Sequence, residues 1–410
     1  MPSALVLVRN DVSHDSRVLR EARVLRDLGF DVLVVGVVSA TERQTELTID
    51  GMPVRRLVGP RQLLRRVLHR EGFRPEPQPA PPTAGSGGAS TRRSRPIERF
   101  LVGLAFTLQG IALVWRLAPA LVHANDYETM WVGVAAKLLR GSRLVYDAHE
   151  LWPDRAGTSG WRPWLLAWEF VFLRLADAAV TVSPGLAQVM AARYRVSEPV
   201  VVRNVPERPL DLDSAPAPGP PVAVYSGGLA AGRGIEQALR ALPAVPELRL
   251  RLIGPDTDGF AARVRSEAEA LGVADRLEIR PPVPPAEVPA ALAGTMLGVV
   301  LTQPTVLSYR LSLPNKLFEY VAAGLPVLAS DLPVQGPLVR EEGIGEVVPP
   351  DDVAGVAEAM RRLVDPARNA EVRARVRAFA RRTSWEHERR RLEEIYRTLV
   401  EPRRFRTAAS

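Results

Sequence analysis

The stretch "SLPNKLFEYVAAGLP" (residues 312–326) carries residue types that bind phosphate groups. Only two of the 54 basic residues are lysines, and one of them, Lys316, follows a Pro-Asn pair where a helix is predicted to start. Asn315 is predicted to cap this helix, whose free N–H groups would attract an anion. A cation in a first turn is unfavourable unless an anion lies over it, so Lys316 is a candidate phosphate ligand. Glu319 could accept hydrogen bonds from sugar hydroxyls; the alternative is a surface helix with an ordinary Lys316–Glu319 pair.

A second candidate anion site is the glycine-rich turn in "VYSGGLAAGRGIEQAL" (residues 224–239). Gly227 and Gly232 have the spacing of a P-loop, but Arg233 and Gly234 stand where that motif requires Lys and Ser or Thr. What remains is exposed backbone N–H, at Gly227 and Gly228, and the guanidinium of Arg233. These groups suffice to hold a diphosphate.

Polar residues also follow predicted strands in the first half of the chain. His149, in "YDAHE", lies at the carboxyl end of a strand, where α/β proteins bind ligands; the alternative is a structural histidine. Asp126 is either a site residue or the cap of the helix that follows it. Asn10 and Asp11 either meet an acceptor or a phosphate or form an ordinary turn. For His123 and Asn125, a functional role and a structural role both remain possible interpretations. His14, His69 and His387 are assigned no functional role.

Two D-x-D triplets, Asp211–Asp213 and Asp256–Asp258, raise the question of a metal. The first lies in a proline-rich stretch and the second has no supporting cluster of ligands, and such short matches arise easily by chance. We therefore predict no metal. The chain has no cysteine, which excludes disulfides and thiolate chemistry.

Predicted strands and helices alternate along the chain, and these elements must position the candidate residues. Short Val/Leu runs separated by helices predict parallel sheets covered on both faces. A proline-rich stretch, Pro206–Pro221, interrupts the pattern, which then restarts. The prediction is two successive doubly wound α/β units with the site in the cleft between them. Predicted strands include Ala4–Val8, Arg143–Ala148, Ala178–Ser183 and 222–226; predicted helices include Ser16–Leu28, Thr129–Leu139, Trp161–Ala176, Ile235–Ala241, Phe260–Leu271 and Asn315–Ala323.

The net charge of +8 is concentrated in one segment. Residues Arg55–Arg99 contain eleven Arg and three Glu, which predicts either contact with an anionic membrane surface or an arginine-rich flexible insert. "RQLLRRVLHR" (residues 61–70) has the pattern of a basic amphipathic helix of the membrane-surface kind. Nucleic-acid binding is disfavoured because no stacking aromatics accompany the arginines. The apolar run Phe100–Trp115 is short for spanning a bilayer and, like the aromatic run 161–178, is predicted to be a buried or interfacial helix.

Two segments resemble the C-terminal half of the GT-B glycosyltransferases of retaining family 4, namely "SGGLAAGRGIEQALRAL" and "PNKLFEYVAAGLPVLAS". Similarity extends to "HDSRVLREARVLRDLGFDVLVV", "LVYDAHEL" and the terminal "SWE…IYRTL", and covers most of the chain outside about residues 40–98. The resemblance implies two Rossmann-like domains facing a central cleft. Residues 1–207 would bind the acceptor, with a disordered insert at 72–96. Residues 208–382 would bind the nucleotide sugar, and residues 383–410 would form a helix that crosses back to the first domain.

The resemblance also implies roles for individual residues. Glu319 would bind the donor ribose, Arg233 the diphosphate, and His149 the donor sugar. Leu311 stands where the family's first glutamate is usual, as in a subset of the family with "PNKLFEY". From the residues and the resemblance together, the predicted set is catalytic His149, Arg233 and Lys316; donor-binding Gly227, Gly228, Arg233, Gly254, Asn315, Lys316, Leu317 and Glu319; and acceptor-binding Asn10, Asp11, Asn125 and Asp126.

The expected function is transfer of a sugar, with retention, from a nucleotide-diphosphate sugar to a lipid-linked or cell-surface acceptor. No cofactor is expected. The start "MPSALVLVRND" predicts a first strand rather than a signal peptide, so the expected location is the cytoplasm, with peripheral attachment to the inner face of the membrane as a hypothesis. The alternatives are a nucleotide-sugar epimerase or phosphorylase of the same fold, and a non-catalytic nucleotide-sugar-binding homologue.

Overall fold

A computed structural model describes residues 1–13, 15–39, 44–60, 96–155, 157–207, 218–284 and 287–400. Its first half contains an eight-stranded sheet among these residues, ordered β3-β4-β2-β1-β5-β6-β7-β8. Every neighbouring pair is parallel except β3 and β4. The strands are β1 (Ser3–Leu7), β2 (Asp31–Val37), β3 (Glu46–Ile49), β4 (Met52–Leu57), β5 (Leu121–Asn125), β6 (Arg143–Ala148), β7 (Ala178–Thr181) and β8 (Val200–Val201).

Helices cover this sheet because each has one apolar face to bury. In α1 the buried residues include Val18, Ala22 and Leu25, at the spacing of a single helix face. The helices of the first half are α1 (Ser16–Asp27), α2 (Pro96–Leu117), α3 (Asp126–Arg140), α4 (Arg162–Leu175) and α5 (Pro184–Tyr194).

The second half repeats the architecture with a parallel six-stranded sheet, ordered β11-β10-β9-β12-β13-β14. Its strands are β9 (Val222–Ser226), β10 (Arg249–Ile253), β11 (Leu277–Arg280), β12 (Leu297–Val300), β13 (Val327–Ser330) and β14 (Gly345–Val348). Its helices are α6 (Ile235–Ala241), α7 (Phe260–Ala270), α8 (Val288–Leu292), α9 (Leu307–Leu311), α10 (Asn315–Ala322), α11 (Gln335–Glu342), α12 (Val353–Val364) and α13 (Pro366–Arg382).

The last helix, α14 (Trp385–Val400), returns to the first half and packs against α1. Trp385, Leu392 and Tyr396 join the core that contains β1 and β2. Glu388 is buried and pairs with Arg203 at 2.7 Å, and the Tyr396 hydroxyl lies 2.9 Å from Nδ1 of His123. The predicted fold class, two doubly wound α/β units with a terminal helix that crosses back, is confirmed.

Four sequence predictions concern the segment between β4 and the end of α2. The helix predicted over Phe100–Trp115 is longer, since α2 runs from Pro96 to Leu117. Arg56 is not part of a surface patch, because it is 1% exposed and donates hydrogen bonds to Asp11 O and Ser13 Oγ. The disordered insert predicted at 72–96 and the amphipathic helix predicted at 61–70 fall, except for Pro96, outside the described residues.

A buried carboxyl makes the stability of the first half depend on pH. Glu169 on α4 is fully buried and accepts hydrogen bonds from the hydroxyls of Tyr146, at 3.0 Å, and Tyr194. Burial raises the pKa of Glu169 from 4.5 to about 7, because the tyrosine hydroxyls only partly offset the loss of water. The folded chain therefore holds a proton here that the unfolded chain releases at lower pH.

We expect Glu169→Gln to remove this pH dependence. The protonated carboxyl stabilises the fold below the unfolded pKa, and that contribution, about 3 kcal/mol, is lost as the pH rises from 4.5 to about 7. The free energy of unfolding of the variant, measured against wild type by urea titration, should therefore gain about this amount between pH 4.5 and pH 7. The exposed Glu269→Gln variant should show no such trend, and an equal trend in both would contradict the assignment.

Candidate functional site

The glycine turn after β9 and the loop after β10 contact each other through their backbones. Gly227, at φ +130°, donates from its N–H to Ile253 O at 2.9 Å. Gly254, at φ +153°, lies so close that a methyl group on it would stand 2.0 Å from Gly227 O. Gly227 therefore requires glycine because of its backbone angle, and Gly254 requires it because of both its backbone angle and the close approach. The result is a tight corner whose exposed edge is backbone rather than side chain.

Lys316 reaches this corner from α10. Its Nζ lies 3.6 Å from the centroid of the Tyr225 ring, and a methyl group on Gly227 would stand 3.3 Å from the same atom. Burial lowers the pKa of Lys316 well below its usual range, and the nearby positive charge of Arg233 lowers it further. Among the described residues, Lys316 has no carboxylate within 4.0 Å, so the alternative of an ordinary Lys316–Glu319 ion pair is not observed.

Arg233 is the second cation at the corner. Its guanidinium carbon lies 4.6 Å from the centroid of the Tyr309 ring. The turn before it is held in place, because the Tyr225 hydroxyl donates to Gly228 O at 2.9 Å and Gly232 O accepts from Gln303 N at 2.9 Å. Arg233 and Lys316 place two cations in one partly buried corner, which makes a site for an anion of more than one charge.

Glu319 lies on α10 one turn beyond Lys316. Burial raises its pKa, while the positive charges of Lys316 and Arg20 act in the opposite direction. Arg20 belongs to α1 of the first half, so Glu319 lies on the side of α10 that is near the first half. This position suits a carboxylate that accepts hydrogen bonds from a ligand in the cleft between the two halves.

Two predictions about the start of α10 are wrong in detail. Pro314 occupies the N-cap position and makes no side-chain capping bond, while Asn315 is the first helical residue and is exposed. Leu317 is fully buried in the core and its N–H donates to Pro314 O at 3.0 Å. Neither the side chain nor the backbone N–H of Leu317 is therefore available to bind a nucleotide-sugar donor.

Leu311, at the end of α9, connects the two halves. Ser183 Oγ, at the start of α5, donates to Leu311 O at 2.7 Å. A methyl group on Gly185 would stand 3.3 Å from Cδ2 of Leu311, and Leu311 packs with Leu307 against the apolar core of the first half. Leu311, which stands where the resemblance would place a glutamate, thus makes an apolar contact across the cleft.

The opposite wall of the cleft carries His149, directly after β6. Its Nε2 lies 3.1 Å from Asn125 Oδ1 and 3.7 Å from Asp147 Oδ2, and its Nδ1 lies 3.4 Å from Asp126 Oδ2. Burial alone would lower the pKa of His149, but Asp126 and Asp147 raise it well above its usual range. The structure therefore brings together three predicted residues, with Asn125 and Asp126 next to the ring nitrogens of His149.

Asp126 is not a helix cap. It lies at the start of α3 with φ +63°, and its carboxylate faces His149 rather than the helix N–H groups. A non-glycine residue in this left-handed region is strained by about 1–3 kcal/mol, a cost that concentrates at functional sites. The left-handed backbone angle of Asp126 turns its carboxylate towards His149.

We expect Asp126→Asn to lower the pKa of His149 towards its ordinary value, because the variant loses one of the two carboxylates that stabilise the imidazolium. The measurement is an NMR titration of the imidazole Cε1–H signals, with the His149 signal assigned by its loss in His149→Asn. Asp177→Asn, which removes a carboxylate that pairs with Lys137, should leave the His149 titration unchanged. An unaltered titration in Asp126→Asn would show that the two groups do not interact.

Asn10 and Asp11 form an ordinary turn, which the sequence analysis gave as the alternative to contact with an acceptor or a phosphate. Asn10 donates to Asp15 Oδ2 at 2.7 Å and accepts from Val12 N at 2.8 Å, and Asp11 accepts from Ser13 N at 3.1 Å. Val12 has φ +69°, which these bonds hold in place. The side chains therefore serve the turn, and their assignment to an acceptor finds no support.

Sequence reasoning missed a buried polar cluster beneath His149. Arg17 donates to Asp147 Oδ2 through Nε at 3.0 Å and through Nη2 at 2.7 Å, and it pairs with Glu21 at 2.9 Å. His123 lies between them, with Nε2 at 3.3 Å from Glu21 and 3.5 Å from Asp147. The one available signal was the charged pair Arg17 and Glu21 at i,i+4 on an otherwise apolar helix face.

This cluster and the second D-x-D triplet bear on metal binding. Glu21, His123 and Asp147 offer ligand atoms within 4.8 Å of one another, but the guanidinium of Arg17 already contacts both carboxylates. Asp256 accepts from Ala261 N at 2.9 Å, and Asp258 has φ +54°, so both belong to the turn before α7. Asp211–Asp213 lies outside the described residues. The absence of a metal stays a prediction.

Family comparisons settle the class of protein. Residues 16–204 match the family model described as Glycosyltransferase Family 4, and residues 220–366 match the one described as Glycosyl transferases group 1. The chain belongs to the group 1 glycosyltransferases. The two matched ranges coincide with the two α/β halves, and an epimerase, a phosphorylase or a non-catalytic homologue is not favoured.

Relatives and solved structures agree with this assignment. The chain is 27% identical over 315 residues to D-inositol 3-phosphate glycosyltransferase 1 of Catenulispora acidiphila, covering 70% of this chain and 73% of that protein. It is 27% identical over 299 residues to the glycogen synthase of Mycobacterium tuberculosis, covering 67% and 66%. Its fold is similar to that of sucrose-phosphate synthase from Thermosynechococcus elongatus, with a TM-score of 0.72, 19% identity and coverage of 97% and 99%. A similar match is HepE from Anabaena in complex with UDP, with a TM-score of 0.70, 15% identity and coverage of 97% and 100%. The two solved structures show that the fold is GT-B.

Proposed function

We propose that the enzyme transfers a sugar, with retention of anomeric configuration, from a nucleotide-diphosphate sugar to a lipid-linked or cell-surface acceptor. The observation that carries the proposal is Lys316, an ammonium group with no carboxylate within 4.0 Å in the described part of the chain, held 3.6 Å from Tyr225 beside the Gly227 corner. A cation removed from water without a carboxylate in direct contact is costly, and a bound diphosphate would compensate that cost.

The leaving diphosphate would be stabilised by groups that are already in place. Arg233 and Lys316 supply two positive charges, and the Gly227–Gly228 backbone lies beside them. Fixed charges that meet the negative charge developing on a leaving group lower the barrier without reorganisation. In the proposed step, the bond from the sugar C1 to the diphosphate oxygen breaks while the acceptor oxygen bonds to C1 on the same face. The acceptor proton goes to an oxygen of the leaving diphosphate.

The wall that carries His149 would hold the transferred sugar. The His149 imidazolium, kept charged by Asp126 and Asp147, is a donor that can bind a sugar hydroxyl across the cleft from the diphosphate corner. Binding in a cleft with walls from both halves orients donor and acceptor before reaction. HepE, which has a similar fold, has been solved in complex with UDP-glucose, which supports a nucleotide sugar as the donor here.

The experiment is a thermal-shift screen of nucleotide-diphosphate sugars that differ in base and sugar, followed by transfer assays with the donors that bind. NMR of the product gives the anomeric configuration, and inversion would contradict retention. Interconversion of donor sugars without an acceptor would indicate an epimerase instead. Because the chain's own cations supply the charge, we also propose a reaction without metal or cofactor, so activity should persist in a chelator.

A further inference from the structure

The exposed apolar side chains of the protein are concentrated on one surface. Of the fifteen large hydrophobic residues that are exposed among the described residues, twelve lie on or next to α2, α3 and α4. Monomeric soluble proteins rarely leave so much contiguous apolar area in water. These residues are Phe100, Leu101, Leu104, Leu108, Trp115, Leu117, Trp131, Leu138, Leu139, Trp161, Trp164 and Phe170. We call them the apolar face.

Helix α2 contributes a stripe along its outer side. Leu101, Leu104, Leu108 and Trp115 recur at helical spacing and are 42%, 44%, 55% and 60% exposed. The inner side is buried, with Phe106 in the core of the first half. The segment Phe100–Leu117 is long and apolar enough to cross a bilayer, with a mean hydropathy of 1.7, but its inner side belongs to the core. Spanning would expose that core, so the helix can only lie along a membrane.

The three helices form one continuous surface. A methyl group on Gly110 of α2 would stand 2.7 Å from Val132 of α3, so these helices are in close contact. The Trp131 ring of α3 lies 4.6 Å from the Trp168 ring of α4, and the Trp164 ring lies 5.7 Å from that of Trp168. Five of the seven tryptophans lie in or beside these helices, and tryptophan is the residue enriched at membrane–water interfaces.

The charges around the apolar face are positive. Arg140 lies over the Trp115 ring at 4.9 Å and Arg174 over Phe170 at 4.4 Å, so cations are placed directly at its edge. Two nearby carboxylates among the described side chains are already paired, Glu128 with Arg9 and Asp177 with Lys137 at 2.7 Å. In sequence, the segment Arg55–Arg99 that leads into α2 carries eleven Arg and three Glu.

We infer that the apolar face docks the enzyme onto an anionic lipid bilayer, with the three helices lying in the interface. Apolar side chains flanked by arginines match an acyl layer covered by anionic headgroups. A second copy of the chain is a poorer occupant, since a two-fold interface would bring the same arginines of both copies together. The sequence prediction placed membrane contact on Arg55–Arg99, whereas the described residues offer a different, apolar surface.

Docking would place the wall of the cleft that carries His149 close to the bilayer. Asp126, which faces His149, starts α3, and Trp131 follows five residues later, about 7.5 Å along the helix. This consequence rests on the proposed function, because it gives a lipid-linked acceptor direct access from the membrane. Docking itself does not depend on the identity of either substrate.

The test is flotation of the full chain with vesicles of phosphatidylcholine, with and without phosphatidylglycerol. The variant Leu104→Ser/Leu108→Ser/Trp164→Ser should bind roughly tenfold or more weakly than wild type, since three exposed apolar anchors are lost. The matched control is Val200→Ser/Val400→Ser, which replaces exposed apolar residues elsewhere and should bind like wild type. Circular dichroism and melting temperature establish that both variants are folded.

Each outcome decides the inference. Weaker binding in the triple variant alone, and weaker wild-type binding without phosphatidylglycerol, would support docking. Equal binding by the triple variant would overturn it, as would a wild-type dimer in analytical ultracentrifugation that the triple variant abolishes. Transfer from a soluble donor to a water-soluble acceptor should be unchanged in the triple variant, so loss of docking and failure of the proposed function are distinguishable.

Discussion

Replacement of Lys316 by alanine should lower kcat/KM for sugar transfer by roughly 100- to 1,000-fold, the usual effect of removing one preorganised group from a developing anion. The folded protein should not be destabilised by the same change. Burial lowers the pKa of Lys316, which means that the folded state disfavours its charged form. Removing the ammonium group therefore relieves a cost, and the melting temperature without ligand should stay the same or rise.

The chain offers an unusually clean control, because its other lysine, Lys137, lies on α3 and pairs with Asp177 at 2.7 Å. Lys137→Ala should retain transfer activity. Lys316→Arg should recover little activity, since a guanidinium is too large for a position 3.3 Å from the methyl site of Gly227. A Lys316→Ala variant that transfers sugar at the wild-type rate would exclude the diphosphate corner as the catalytic centre.

The regular elements could be predicted from sequence because parallel strands buried on both faces read as continuous apolar runs. The predicted strands Arg143–Ala148 and 222–226 have the observed bounds, as does the helix Ile235–Ala241. The glycine corner was also foreseeable, since Gly227 and Gly254 directly follow strands. A single glycine that directly follows a predicted strand is enough to locate such a turn in the sequence.

Local chemistry at helix starts could not be predicted in the same way. Asn315 is a favoured cap by type, yet the chain places Pro314 at the cap and leaves Asn315 exposed. Asp126 is also a favoured cap, but the carboxylate pairs with His149 from a strained backbone angle. In both cases a tertiary or backbone constraint outweighs the intrinsic preference of the residue.

The buried cluster beneath His149 lay beyond sequence reasoning because its members are far apart in the chain. His123 meets Tyr396 across 273 residues, and Arg17 meets Asp147 across 130. Burial raises the pKa of Glu21 well above its usual range, and the adjacent Asp147 carboxylate adds to the rise. Through Asp147, which lies near both His123 and His149, the terminal helix α14 is connected to the wall of the site.

The substitution Gly254→Ala should weaken binding of the donor by roughly tenfold or more, since overpacking against rigid backbone typically costs about 1–3 kcal/mol. A methyl group here would stand 2.0 Å from Gly227 O, and backbone cannot move aside as a flexible side chain can. The turn that carries Gly227 would have to shift, which changes its position relative to Lys316. Isothermal titration with the nucleoside diphosphate of the preferred donor measures the effect directly.

Gly259→Ala supplies the control, because Gly259 lies five residues later with φ +71° and a methyl group on it would meet nothing within 4 Å. That variant suffers backbone strain without displacing the corner, so it should lose stability but bind the nucleoside diphosphate like wild type. Equal loss of affinity in both variants would mean that strain in the loop, rather than the position of Gly227, governs binding. Unchanged affinity in Gly254→Ala would show that the diphosphate binds away from this corner. A loss of affinity confined to Gly254→Ala would instead show that binding depends on the distance between the Gly227 turn and Lys316. Backbone contact between the two loops fixes that distance.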